Sequence, residues 1–274
     1  MKLVSFSTAD GKIRPGALRG DEVVDLSAAG YADTMAAIAA GLREAPAGPA
    51  MPLDGVRLHA PLANPPRIFA IGLNYRDHAA ESKMALPTVP VVFFKLHTAI
   101  IGPGEPIVLP RCTKEPDYEA ELAFVIGKGG YQIPGAAWRE HVYGFTIAND
   151  VSARDVQFAT SQWSLAKSFN TFCPLGPAIV TTDEIADAHK LAISLEIDGE
   201  TLQSSNTREL VFGIPELVEY ISSIAPLLPG DIVSTGTPGG VGLGRTPKRW
   251  LKPSETVTVK VEGIGALSNP VIAE

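Results

Sequence analysis

Glu119 and Glu121, in the stretch DYEAELAFVIG, stand two residues apart in a segment that otherwise reads as a core strand. An extended chain sends alternate side chains to opposite faces, so both carboxylates point one way while Leu122, Phe124 and Ile126 point the other. Two carboxylates converging beside a core repel each other and resist desolvation. A hard divalent cation resolves that conflict, because Mg²⁺ takes oxygen ligands and keeps several waters. Asp150 closes the run HVYGFTIAND and offers a third carboxylate at a strand end or turn. Each feature has a plainer reading: E-x-E is most often a solvated strand face, and Asn-Asp is a common turn.

Arg154 and Gln157 follow Asp150 closely, and a guanidinium and an amide beside a metal suit a substrate carboxylate or a developing oxyanion. Arg154 could equally sit in a structural ion pair near Asp155. His78 and Glu81 are three apart in GLNYRDHAAES, so on a helix they share a face. The carboxylate would then orient the imidazole as a general base for water; a solvated surface pair is the simpler alternative. Lys167 lies among Trp163, Leu165, Phe169 and Phe172, either as a desolvated cation held for an anion or as a snorkelling side chain. The run Gly236-Thr237-Pro238-Gly239-Gly240-Val241-Gly242 lacks the Gly-Lys-Ser/Thr ending of a P-loop and reads as a loop of backbone donors, with the Thr237 hydroxyl available to a substrate carboxylate. No G-x-S-x-G elbow and no zinc-like Cys/His spacing is present.

The elements that must position these residues are mostly strands. Gly (26) and Pro (23) are too abundant for a helical bundle and fit many turns between short strands. Leu3–Ser7 and Glu22–Leu26 read as strands, and Asp33 caps a helix carrying Met35, Ile38, Ala39 and Leu42. The Pro/Gly/Ala-rich APAGPAMPLDG then marks a linker, which places a domain boundary near residue 60: a small β-rich unit over 1–60 and a catalytic domain over 61–274. Leu191, Ile193, Leu195 and Ile197 alternate up to Asp198-Gly199, a hairpin signal, and Val257, Val259 and Val261 alternate near the end. One helix stands out, with Leu217, Tyr220, Ile221 and Ile224 on a face between Pro215 and Pro226. A net charge of -7 without a basic run argues against nucleic acid and anionic membranes. No apolar stretch is long enough to span a bilayer. Cys112 and Cys173 are too few for a disulfide scaffold, and reduced thiols in the cytoplasm follow. Charged residues at only 19% leave surface to bury in an oligomer.

In order along the chain, NYRDHAAES, PVVFFK, DYEAELAFVIG, NDVSARDVQ, WSLAKSFNTFCPLGP and PGDIVSTGTPGGVG resemble the fumarylacetoacetate hydrolase family, over about residues 65 to 274 with an N-terminal unit like that of its longer bacterial members. The resemblance implies a mainly β, α+β fold, a mixed β-sandwich roll with the active site at one end. It implies metal ligands at Glu119, Glu121 and Asp150 for Mg²⁺ or Mn²⁺, sometimes Ca²⁺. His78 with Glu81 matches the family's water-activating pair; Arg154, Gln157 and Lys167 match its anion-stabilising groups, and Thr237 its contact to a substrate carboxylate. Members are usually homodimers. Two positions depart from the family pattern. Asn170 stands where an acidic residue is usual, removing a charge near Lys167, and Ala178 stands where many relatives place Trp, opening space.

The chemistry these groups imply is hydrolysis of a 2,4-dioxo acid, an acylpyruvate or a 2,4-diketo-3-deoxy sugar acid, to pyruvate and a carboxylate. A 2-oxo acid chelates the metal, water activated by His78 attacks the distal carbonyl, and C–C cleavage expels a metal-held enolate. Oxaloacetate decarboxylation and 2-hydroxy-dienoate isomerisation or tautomerisation use the same enolate and are the rivals. A non-catalytic metal-binding protein is the rival of a different kind.

Overall fold

Alternating hydrophobicity becomes strands almost where the sequence places them. In the computed structural model, which describes residues 1–81 and 84–274, Ala120–Ile126 pairs antiparallel with Val142–Asn149, from Ala120↔Asn149 to Ile126↔Val142. Ser82, the last residue of NYRDHAAES, lies outside the described residues. Leu122, Phe124 and Ile126 enter one apolar cluster, and Ala123 and Val125 enter another. The strand is therefore buried on both faces. A solvated acidic face is ruled out: Glu119 is 4% exposed and Glu121 2%.

This pair lies within a 12-stranded mixed sheet among the described residues. Across it run Ala50–Pro52, Glu22–Asp25, Arg14–Arg19, Lys2–Ser7, Cys173–Thr181, Val142–Asn149, Ala120–Ile126, Ile232–Ser234, Ile68–Gly72 and Val91–Lys95. A second sheet of five strands, Glu200–Asn206, Ala192–Ile197, Thr256–Val261, Gly265–Ala273 and Ile107–Leu109, packs on its middle. Ile193, Leu195, Val257 and Val259 share a cluster with Phe124, Phe145 and the helix residues Leu217 and Ile221. The described residues are thus mostly β with few helices, and the largest of the apolar clusters lies between the two sheets.

Local chemistry fixes the connections. Asp198 (φ 50°) and Gly199 (φ 85°) both adopt the left-handed conformation that a two-residue hairpin requires. The returning strand then bulges: Leu195 faces Gln203 but Glu196 faces Thr201, so Leu202 is extra. Gly213 precedes the helix Ile214–Ile224, Pro215 occupies its first turn, and its buried face carries Leu217, Val218 and Ile221.

The N-terminal strands extend the long sheet, with Lys2 opposite Val180 and Leu3 opposite Ile179. The position proposed as a boundary follows the strand Arg57–His59, which also pairs with Lys2–Ser7. Ala178 corrects an expectation. It packs with Val4, Phe6 and Val23, so its small side chain makes room for the N-terminal strands and opens no space for substrate. Asn170 is exposed.

Asp33 caps the helix Thr34–Ala39 as expected, its Oδ1 accepting from the Ala36 N–H at 2.7 Å. Asp33→Ala should remove about 1 kcal/mol of stability. Thermal denaturation should show a midpoint lower by a few degrees, and catalytic activity should not change.

Candidate active site

The helix that carries His78 is positioned by its approach. The strand Ile68–Gly72 ends in Leu73, held at φ 55°, and Asn74 then turns inward. Asn74 Nδ2 donates to Phe212 O (3.0 Å) and Thr235 O (2.8 Å), and its Oδ1 accepts from the Phe212 N–H (2.8 Å). A buried amide so fully bonded locks the start of the helix Arg76–Glu81. Gly236 must be glycine here. It sits at φ 101°, and a Cβ would lie 2.9 Å from Asn74 Cβ and 3.0 Å from Ile71 O.

The glycine-rich run is a donor loop, as expected, but its donors serve the protein's own carboxylates. Gly236 N–H bonds Glu121 (3.0 Å), Gly239 N–H bonds Asp77 (3.3 Å), and Gly240 N–H bonds Glu81 (3.0 Å). Asp117 accepts from the N–H groups of Gly242 (2.7 Å) and Leu243 (3.0 Å). The loop ties the His78 helix to the Glu119–Glu121 strand.

Eight of the nine residues singled out in the sequence line one cleft: His78, Glu119, Glu121, Asp150, Arg154, Gln157, Lys167 and Thr237. Glu81 lies behind His78, its Oε2 3.6 Å from Nδ1, and that buried Nδ1 has no hydrogen-bond partner among the described residues. Burial pushes the Glu81 carboxyl up, but the contacts to His78 and the Gly240 N–H hold it below the ordinary range. Ile71, Phe93 and Trp163 form the apolar wall of the cleft, the Phe93 and Trp163 rings meeting edge-on at 5.7 Å.

At the base, Glu119, Glu121 and Asp150 each offer an oxygen, and these oxygens lie within 4.8 Å of one another. Asp150 reaches this place because its N–H bonds Glu119 O (2.9 Å) at the end of the strand pair. The surrounding cations are buried with them. Lys167 Nζ donates to Glu119 (2.5 Å) and Asp150 (2.8 Å), and Lys95 Nζ donates to Asp150 (2.6 Å) and to Lys167 O. Arg154 directs its donors to Asp117 (2.8 Å), Gln157 (2.9 Å) and Glu119 (2.6 Å). Burial would raise Glu119, but the charges of Lys167 and Arg154 outweigh it and hold the group at about 2. Lys167, lowered by burial, is raised further by Asp150 and Glu119. Glu121 is pushed well up, by burial first and then by Asp150 and Glu119.

With all four carboxylates ionised, Asp117, Glu119, Glu121 and Asp150 face only Lys95, Arg154 and Lys167 among the buried charges of this network; the one negative charge left over is that of Glu121, whose ionisation a cation would favour. The donor set is all oxygen. Cys173, the nearby thiol, is pushed up to about 11 by burial and supplies no thiolate. The site fits a hard divalent ion of the Mg²⁺, Mn²⁺ or Ca²⁺ class.

Sequence reasoning missed Asp117, Lys95, Gln203 and Ser234. Asp117 extends the acidic face by one more step of two, Asp117-x-Glu119-x-Glu121, a signal that was available. Lys95 ends the apolar run PVVFFK, where a lysine has no business unless paired. Ser234 donates to Glu121, and Gln203 bonds Ala120 N–H and Thr237; neither carries a pattern of its own.

The family model described as fumarylacetoacetate (FAA) hydrolase C-terminal matches residues 67–272. The protein belongs to the fumarylacetoacetate hydrolase family. It is 46% identical over 221 residues to oxaloacetate tautomerase fahd2, mitochondrial, of Xenopus laevis, covering 80% of this chain and 69% of that one. Among solved structures, the fumarylacetoacetate hydrolase of the psychrophile Exiguobacterium antarcticum superposes with a TM-score of 0.90 at 35% identity, covering 100% of each chain. The 5-carboxymethyl-2-hydroxymuconate delta-isomerase of Mycobacterium smegmatis gives 0.84 at 38%, also covering 100% of each. The mitochondrial location belongs to the frog protein, and the cytoplasmic expectation for this chain is not supported by it. Among the described residues, no helix is long and apolar enough to cross a membrane.

Glu121→Gln tests the metal site. The neutral isostere relieves repulsion, so the metal-free protein should melt no lower than wild type. Mg²⁺ at about a hundredfold excess over its Kd should stabilise wild type by about 2.7 kcal/mol. That rise in thermal midpoint should be absent in the variant, and calorimetric titration should show no Mg²⁺ binding.

Proposed function

We propose that this protein is a divalent-metal-dependent tautomerase of a small 2-oxo dicarboxylic acid of the oxaloacetate type. The observation that carries the reading is the wholly buried Glu119–Glu121–Asp150 cluster at the base of a cleft in which, among the described residues, His78 is the one titratable side chain outside the ionic network of the cluster. The 46% identity to an oxaloacetate tautomerase supports this substrate class over the 2,4-dioxo acids first expected. When bound at the three carboxylates, a divalent ion supplies Lewis-acid polarisation of the 2-oxo acid.

The chain's own residues do the rest. Lys167 and Arg154 are locked to carboxylates and stay charged, so they are poor proton acceptors. His78 is the group that takes the proton from C3, whose bonding pair becomes the C2–C3 double bond, and the imidazolium then returns that proton to the C2 oxygen, directly or through a water. Reversal gives the keto form. Glu81, close to Nδ1 and anchored by Gly240, stabilises the imidazolium. Phe93 and Trp163 keep water from the reacting carbons. Thr237 contacts a substrate carboxylate, and Gln157 keeps Arg154 in place.

Hydrolysis of a 2,4-dioxo acid is the second reading, favoured by the i,i+3 His78–Glu81 pair suited to activating water and by likeness to a fumarylacetoacetate hydrolase. The experiment follows oxaloacetate enol–keto interconversion by ultraviolet absorbance with Mg²⁺, beside pyruvate release from a panel of acylpyruvates. Tautomerisation should dominate; pyruvate release without tautomerisation overturns the first reading in favour of the second. His78→Ala should slow the reaction by about 10² to 10⁴-fold. Its Mg²⁺ affinity should not change, because His78 is not a ligand.

The protein works as a homodimer in this reading, which the exposed apolar residues Val89, Phe94, Leu96 and Ile224 support. Light scattering should return about twice the chain mass of 28.9 kDa; a stable monomer at micromolar concentration excludes it.

A further inference from the structure

Gln203 owes its place to the bulge at Leu202, which breaks the alternation of the strand Glu200–Asn206 and buries two successive side chains. Gln203 is 0% exposed, and its amide is fully committed. The Ala120 N–H, between Glu119 and Glu121, lies 2.9 Å away, so the atom facing it is the amide oxygen. The amide nitrogen therefore faces Thr237 Oγ1 at 2.8 Å and Pro238 O at 2.9 Å. A carbonyl only accepts and an NH₂ group only donates, so Thr237 Oγ1 accepts from Gln203 and keeps its own proton to give. Among the described residues no acceptor for that proton lies within hydrogen-bonding distance. Thr237 is 5% exposed and lines the cleft.

We propose that Gln203 is a positioning residue that fixes the Thr237 hydroxyl as a donor into the cleft and thereby selects an anionic oxygen, a substrate carboxylate, at that point. The proposal rests on the 2-oxo diacid reading above. A hydroxyl free to rotate can offer either its proton or its lone pairs. One pinned by Gln203 has a buried proton that a carboxylate satisfies and a neutral donor group does not. The same amide bonds the backbone between two carboxylates of the metal cluster, so the distance between the reacting centre and the carboxylate contact is set by one side chain.

The probe is malate, which carries both carboxylates of oxaloacetate and no carbonyl to react. Its Kd is measured calorimetrically with saturating Mg²⁺, beside KM and kcat for oxaloacetate. Gln203→Glu keeps the bond from Ala120 N–H but replaces the donor by an acceptor, so Thr237 turns its proton away from the cleft. Gln203→Glu and Thr237→Val should each weaken malate by about 10-fold or more, the loss expected for a hydrogen bond to a charged group. Each should raise KM by more than it lowers kcat. The double variant should bind no more weakly than Thr237→Val, because Gln203 acts through that hydroxyl. Thr237→Ser should bind like wild type. Gln203→Met frees the hydroxyl without adding charge, should weaken malate by a smaller factor, and decides the matter if the glutamate variant does not fold. Additive effects, wild-type affinity in Gln203→Met, or no malate binding by wild type overturns the proposal. An enzyme inert on oxaloacetate whose variants still lose malate affinity removes the tautomerase reading and keeps this one.

Discussion

Glu121 is buried with two other carboxylates, Glu119 and Asp150, as the neighbours that raise it most after burial itself. Isolated charge in such a place is strongly unfavourable, and removing one partner from a buried ionic network leaves the others unbalanced. The surroundings are arranged around that constraint. Lys95, Lys167 and Arg154 are buried cations with almost no purely structural explanation, since apolar side chains of similar size would pack as well without the desolvation cost. They make sense as counter-charges that bring the cluster close to neutrality while leaving a deficit for a divalent ion to fill.

The constraint also explains why the glycine-rich loop looks like an anion receptor yet turns its N–H groups to the protein. Each carboxylate needs donors as well as counter-charge, and backbone N–H groups supply them without adding another ion. Glu121, Asp77, Glu81 and Asp117 are all satisfied in this way. One loop thus touches the metal cluster, the helix of His78 and, through Asp117, the guanidinium of Arg154. Only Thr237 in this stretch keeps a side-chain proton for the cleft, which is why its orientation matters.

Much of this was legible in the residues. Alternation over Leu122, Phe124 and Ile126 located the central strand, and the paired acidic residues located the buried acidic cluster, because both rest on the period of two of an extended chain. Capping by Asp33 and the Asp198-Gly199 hairpin are equally local. What could not be read depends on long-range register. Lys95 meets Asp150 only because Val91–Lys95 and Val142–Asn149 end at the same edge of the site, and Gln203 reaches Thr237 and the Ala120 N–H behind the cleft only because of a bulge that no residue type announces. Ala178 shows the opposite error. Its distance in sequence from Lys167 is short, but the strand Cys173–Thr181 carries it away to the N-terminal strands.

Relatives described as tautomerase, isomerase and hydrolase share this scaffold, and the ion network suggests why. Under the proposed tautomerase function, Glu119, Glu121, Asp150, Lys95, Lys167 and Arg154 form the buried ionic base of the cleft, beneath the reacting carbons. The three cations are directed at carboxylates, and Glu121 accepts from Ser234 and the Gly236 N–H, so these groups have little left with which to discriminate among substrates. In the proposed reading, discrimination falls to the cleft groups outside that network: the imidazole of His78, the hydroxyl of Thr237 and the apolar wall of Phe93 and Trp163. In the proposed reading, a change of reaction on this scaffold therefore leaves the acidic cluster as it is and falls on the partner of the Thr237 proton, on the apolar wall, or on a water admitted beside His78.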